Sequence, residues 1–230
     1  MSSETELDRD EAASATSPAP NRRILLQSAV AAGVCLGIPP ALQFWTVLLL
    51  GSIPYSIAST INALPSIVSA GGAVIWGWAL ATITHYRPKW RLVLGSTFGL
   101  FLGRWLAFSV IHTYLFNPMH RQQPPHVAFG VFFTLAVMSV SASMGSALGI
   151  TVGNWRILLR LTIGNLTTSG LTVVLIILLL DLVGLRVGTG SLAMPKVTAF
   201  GTLLAAMVNG IMMGSVFSSY ARRSTMNIAS

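Results

Sequence analysis

The sequence predicts an all-α fold: a polytopic integral membrane bundle of about six transmembrane helices with both termini cytoplasmic. Three observations carry this. The 230 residues are 53% hydrophobic and only 9% charged, with mean hydropathy +0.71, where a soluble domain carries roughly 25% charged residues. Five of the six acidic residues (Glu4, Glu6, Asp8, Asp10, Glu11) lie in the first eleven positions, and Asp181 is the only one after them. Apolar stretches of bilayer length follow one another, separated by short segments whose Arg and Lys content alternates. This composition excludes a soluble enzyme. It also argues against nucleic-acid binding despite the net charge of +8. Paired-carboxylate chemistry has no residues to use, and the single Cys35 excludes intrachain disulfides and CxxC motifs.

Residues 1–21 read as a disordered acidic tail, too polar to offset the entropy of ordering. Arg22 and Arg23 before an apolar run resemble a twin-arginine export signal. No A-x-A site follows, several further spans do, and Val34 stands where a lipoprotein signal needs a small residue before Cys35. The better reading makes both arginines the cytoplasmic flank of the first span. That span lies within 24–61 and meets Pro39-Pro40, which a straight helix cannot cross. Two arrangements fit: a kinked helix over 24–50 followed by a loop, or a half-helix over 24–38 followed by a span over 41–61.

The next spans are 66–84, 91–112, 127–150, 157–183 and 197–217, each near the roughly 20 residues a bilayer core requires. With six spans, Arg22, Arg23, Arg87, Lys89, Arg91, Arg156, Arg160, Arg222 and Arg223 fall inside, and Arg121, Arg186 and Lys196 outside. This obeys the positive-inside rule; an odd helix count scrambles it. The domain is therefore 22–218, followed by a short basic cytoplasmic tail, 219–230. The longest loop is the outer segment 113–126, with Pro118, Pro124 and Pro125.

Lipid tails are as apolar as leucine, so small residues that let backbones approach must hold the helices together. Ala29-Gly33-Gly37 provides such a row in the first span, Gly95-Gly99-Gly103 in the third and Gly145-Gly149-Gly153 in the fourth, with Gly210 and Gly214 in the sixth. The third and fourth rows sit at similar depth and are expected to face each other, or to dock a membrane-protein partner. Polar faces run along the last three spans: Ser139, Ser143 and Ser146; Asn165, Thr168, Ser169 and Thr172; Thr198, Thr202 and Asn209. They are read first as interhelical hydrogen bonds and second as a solute path. The sequon at Asn165 lies within a span and is discounted.

Arg104 is the most informative residue. Thirteen positions beyond Arg91, it lies about 20 Å along the helix, past the bilayer midplane, where an arginine costs roughly 2.5–3.5 kcal/mol. It is expected to face the bundle interior, to pair with Asp181, to hold an anion, or to snorkel. Asn165 and Asn209 are the other solute candidates. His112, His120 and His126 flank or lie in the outer loop without metal-ligand spacing, and His85 lies at the opposite interface. No metal, cofactor or catalytic residue is assigned. The segment 85–91, HYRPKWR, can touch anionic lipid heads without specificity. Three functional readings follow, in order: a non-enzymatic subunit or assembly factor of a membrane complex; a small-solute translocator or substrate-binding transport subunit; a lipid-modifying intramembrane enzyme. The partners are the lipid bilayer and a membrane protein on the glycine faces, not nucleic acid. Which membrane is left open.

Overall fold

The computed structural model describes residues 21–41, 55–122, 125–182 and 193–226; within these, the side chains of 55–66, 116, 120, 125, 126, 129, 180, 181, 193–197 and 221–226 are outside the description. Every described element is helical. They are α1 (Arg22–Ala32), continued by a π-helical segment Gly33–Gly37; α2 (Tyr55–Ile83); α3 (Lys89–Trp105), continued by a π segment Leu106–Phe116; α4 (Asn117–Gln122); α5 (Pro125–Val152); α6 (Trp155–Leu182); and α7 (Ala193–Met226). Among the described residues five helices are long and apolar enough to cross a membrane, and α2 adds the shorter apolar stretch Ile67–Ile83. The chain thus carries the elements of a membrane bundle.

The six long helices form a ring in which α1 packs on α2, α2 on α3, α3 on α5, α5 on α6 and α6 on α7, while α7 closes onto α1. Closure is antiparallel: Gly37 meets Leu203, Gly33 meets Met207, and Gly210 and Gly214 both meet Ser28. The start of α1 and the end of α7 therefore lie at one end of the ring. The α2–α3 turn joins them there, because Tyr86 packs edge-on against Phe217 at 5.8 Å and tilted against Tyr220 at 6.3 Å. A cluster including Trp76, Leu80, Leu148, Leu161, Met213 and Phe217 fills this end. Burial pushes the Tyr86 hydroxyl above its ordinary pKa, opposed by Arg91. At the rim, Lys89 Nζ sits 5.2 Å from the Trp78 ring and Arg91 lies 5.7 Å from that of Trp90. Exposed tryptophans with cations beside them suit a membrane–water interface.

Of the two arrangements at Pro39-Pro40, the described residues agree with the one in which the helix continues past the prolines; 42–50 lie outside them. The first helix runs through both prolines to Ala41. Pro39 cannot donate to the Cys35 carbonyl in α register, and Pro40 cannot donate to it in π register. The chain widens first, with the Ile38 N–H bonding back to the Gly33 carbonyl, which eases the ring–carbonyl clash. The Cys35 carbonyl then turns toward Gly72 of α2, where a Cβ would collide with it.

The expected outer loop 113–126 is also largely helical. The π segment reaches Phe116, α4 follows at once, and α5 begins at Pro125. Pro125 stands in the first turn of α5, where a missing N–H costs nothing; Pro118 follows the π segment without a break, after the Asn117 N–H bonds back to the His112 carbonyl. At the other end α7 continues past the expected span to Met226. The tail 1–20 lies outside the described residues.

The glycine rows of the third and fourth spans do not face each other. A Cβ on Gly99 would lie 2.5 Å from the Met144 Cα, and one on Gly95 3.0 Å from the Leu148 Cα, while Gly103 abuts Val140. The α3 row thus receives the ordinary side of α5. Gly145 turns instead to α6, where an added Cβ would lie 2.6 Å from the Leu161 carbonyl oxygen, and Gly149 abuts Leu158. Two rows serve two successive interfaces. Small residues meet small residues where α1 closes on α7, at Gly210 with Ser28 and Ala32, and again where Gly77 of α2 meets Ser96 of α3.

Gly153 belongs to neither interface. At φ +74° with nothing within 4 Å of a Cβ, it ends α5 in a left-handed conformation that an L side chain adopts only with strain. Its N–H reaches the Ile150 carbonyl at 2.9 Å, and the Asn154 N–H reaches that of Gly149 at 3.4 Å. This is a Schellman closure. Asn154 at once caps α6, its Oδ1 accepting from the N–H groups of Arg156 at 3.0 Å and Ile157 at 3.2 Å.

Candidate functional site

Three helices meet at a buried polar junction. Asn209 of α7 donates through Nδ2 to Ser141 Oγ of α5 and Ser169 Oγ of α6, each at 2.8 Å. Ser169 Oγ lies 2.7 Å from Ser141 Oγ and 3.0 Å from Asn209 Oδ1, so its one proton serves one of them at a time. Thr168 Oγ1 adds a donor 3.1 Å from Asn209 Oδ1. Asn165, wholly buried, donates to the Ser141 carbonyl at 3.3 Å, while its Oδ1 has no hydrogen-bond partner. Gly145 makes room for it: a Cβ there would stand 2.9 Å from the Asn165 amide nitrogen. In hydrocarbon a polar group without a partner costs several kcal/mol, so this junction locks α5, α6 and α7 in register.

The junction backs onto a cavity of about 320 Å³ inside the ring. Leu36 and Pro40 line it from the first helix and Ser69 from α2. From α3 come Leu100, Arg104, Ala107 and Phe108; from α5, Phe132, Phe133, Ala136, Val137, Val140, Ser141 and Met144; from α7, Thr202, Ala205, Ala206 and Asn209. α6 does not reach the described lining and supports it through the junction. The cavity occupies the half of the ring away from the filled basic end. Both π segments border it, the first through Leu36 and the second through Ala107 and Phe108. Helices broadened in this way recur at functional sites.

The wall chemistry is lopsided. It is largely hydrocarbon, with one guanidinium (Arg104) and hydroxyl or amide groups from Ser69, Ser141, Thr202 and Asn209. An apolar pocket with a few placed polar groups is the usual form of a small-molecule site. The described lining holds no His, Cys, Asp or Glu. Beside it, His112 packs edge-on against Phe132 at 5.6 Å. Among the described residues no three or more His, Cys, Asp or Glu gather where they could hold a metal ion.

The residues named from the sequence divide cleanly. Arg104 and Asn209, far apart in the chain, line the same cavity. Asn165 lies behind the wall. Asp181 falls in the last turns of α6 with its side chain outside the described residues, and α5 stands between α3 and α6 in the ring. The face Ser139, Ser143 and Ser146 splits: Ser139 Oγ donates to the Gly103 carbonyl at 3.4 Å, whereas Ser146 Oγ meets Thr162 Oγ1 of α6 at 2.9 Å. Sequence reasoning missed Ser141, the α5 serine that joins the junction and the cavity. It also missed Phe132, Phe133 and Ser69. The serines alternate through 139–143, and no helical period distinguishes Ser141 from its neighbours.

The chain matches no protein-family model, and no curated protein and no solved structure resembles it at a significant level. The site therefore has to be read from its own chemistry.

Proposed function

We propose that this chain is an intramembrane binding protein for an amphiphile with a compact anionic head, and that it binds without turning its ligand over. The observation that carries this reading is the single guanidinium in a cavity whose described lining is otherwise largely hydrocarbon. Arginine there matches a carboxylate or phosphate oxygen pair, and the apolar remainder of the wall suits a hydrocarbon tail. Ser141, Asn209 and Thr202 supply neutral polar contacts across from the charge. The volume sits near the low end of the roughly 300–1,000 Å³ range of ligand pockets. The absence of acid, base and thiol groups from the described lining favours binding over catalysis.

This reading goes ahead of a subunit docked through its glycine faces. The rows that motivated that partner are occupied within the chain: those of α3 and α5 by α5 and α6, and those of α1 and α7 by each other. Purified protein in mild detergent should bind cis-parinaric acid saturably, near one per chain, and its methyl ester at least about tenfold more weakly, as loss of a charge-assisted contact implies. Fluorescence titration reads both. Equal binding of acid and ester would remove the role given to Arg104.

The basic end of the ring is assigned to the cytoplasm by the positive-inside rule, which puts both termini there. A cysteine at Gln122, in a protein with Cys35 replaced, is then labelled by an impermeant thiol reagent added outside. A cysteine at Ser224 is labelled only after permeabilisation. The reverse pattern overturns the orientation.

A further inference from the structure

We infer that the cavity is reached sideways from the bilayer through a crevice between α2 and α3, so that its ligand is a lipid-phase carboxylate amphiphile and not a water-borne anion. This rests on the binding function proposed above and adds the route and the source.

Toward the basic end α2 and α3 are in close contact. Ser96 Oγ donates to the Ala73 carbonyl at 2.8 Å, and a Cβ on Gly77 would lie 2.6 Å from the Val93 Cα. Trp76, Leu80 and Phe217, all with 0% exposure, plug the ring at this end, which closes it to water from that side. One turn farther along, the described side chains of α2 and α3 border a gap. Ala70, Leu100, Phe101, Arg104, Trp105 and Phe108 line a second cavity of about 300 Å³. Three of these, Leu100, Arg104 and Phe108, also line the interior cavity. The same side chains therefore divide the inside of the ring from a crevice on its outer surface.

The outer lips are apolar and face outward: Phe101 is 55% exposed and Trp105 58%. At this depth, about 20 Å along α3 from Arg91, the surroundings are acyl chains. An arginine in the partition offers an anionic head a partner on both sides of the passage, so the head need not cross unaccompanied hydrocarbon. The partition also lies where α3 passes into its π segment at Leu106. Phe108 stands in that segment, where backbone bonding is less regular. A head group drawn to Arg104 from the crevice can move inward past Leu100 and Phe108 while its tail stays in the crevice and the bilayer.

The test uses full-length protein in phosphatidylcholine vesicles loaded with cis-parinaric acid, with release to acceptor vesicles followed by fluorescence. Ala70→Trp fills the crevice and should slow exchange by about tenfold, as expected for a blocked gate. Trp105→Ala opens the lip and should speed it by about threefold on the same basis. If both variants exchange at the wild-type rate while still preferring acid over methyl ester, the ligand arrives by another route, from water, and the lateral passage is wrong although the binding function stands. If the wild-type protein shows no preference for acid over ester, the binding function fails and the passage with it. Should Ala70→Trp not fold, as judged by size-exclusion profile, Trp105→Ala decides alone.

Discussion

Replacing Gly99 by alanine destabilises the bundle by about 1–3 kcal/mol, the usual cost of overpacking a filled interface. For a chain of this length that corresponds to about 3–10 °C in the unfolding midpoint. The added Cβ would stand 2.5 Å from the Met144 Cα and 2.9 Å from the Ser143 carbonyl oxygen. Both are backbone atoms, so no rotamer change relieves the overlap and α3 must move away from α5. Gly149→Ala should behave alike at the α5–α6 interface, where Leu158 backbone stands in the way. The control is Gly71 of α2, which has nothing within 4 Å of a Cβ. Gly71→Ala should be neutral or stabilising by up to about 1 kcal/mol through lower backbone entropy. Thermal unfolding in detergent separates the three variants. Equal midpoints for Gly99→Ala and Gly71→Ala would show that α3 and α5 are not in the contact described.

Arg104→Leu should weaken binding of cis-parinaric acid by about 10- to 100-fold, the equivalent of a lost charge-assisted hydrogen bond of about 1.5–3 kcal/mol. Binding of the methyl ester should change far less. Acid and ester on wild-type and variant protein make a double-difference cycle, and its coupling term isolates the guanidinium–carboxylate contact from general effects on the cavity. Arg104→Lys retains the charge and loses the planar fork, so it should fall between the two. Leucine removes a charge that costs roughly 2.5–3.5 kcal/mol at this depth, and the unfolding midpoint reads the variant's fold separately from its binding. A protein that stays folded and loses only the acid is the predicted result. Parallel loss of acid and ester would reduce Arg104 to a structural residue.

The apolar spans were legible because bilayer-length hydropathy is a local property, but several of their ends were not. Gly153, read as a packing glycine, instead ends α5 through its left-handed backbone, and Asn154 caps α6. Runs such as 157–183 are apolar for bilayer length wherever they pack. Where the chain meets proline, the sequence shows a lost donor but not the register shift that accommodates it. At Pro39 and Pro40 that shift is the π segment, and it depends on Gly72 of another helix leaving space for the Cys35 carbonyl. Pro125 opens a helix, and Pro118 is passed within a continuous helical run, where the prolines suggested a loop.

The site was legible in fragments. Arg104 stands out because a charge in hydrocarbon is costly wherever it falls, and Asn209 because amides in spans are rare. Their common cavity was not legible: it depends on α3, α5 and α7 surrounding one space, and no spacing along the chain encodes that. α5 hid its role most completely. It touches α3, α6 and α7 at once, so every side of it is a packing side and its serines show no single face. The sequence by itself determined an all-helical chain with several apolar segments of membrane-spanning length, and which residue is costly among them. These follow from composition, caps and transfer free energies, which are properties of a residue and its near neighbours. Only the tertiary structure decided which glycine row meets which helix, that α7 closes on α1, and that Arg104 and Asn209 line one cavity. Those are relations between surfaces distant in the chain, and among helices in lipid they are set by close packing, which local hydropathy does not specify.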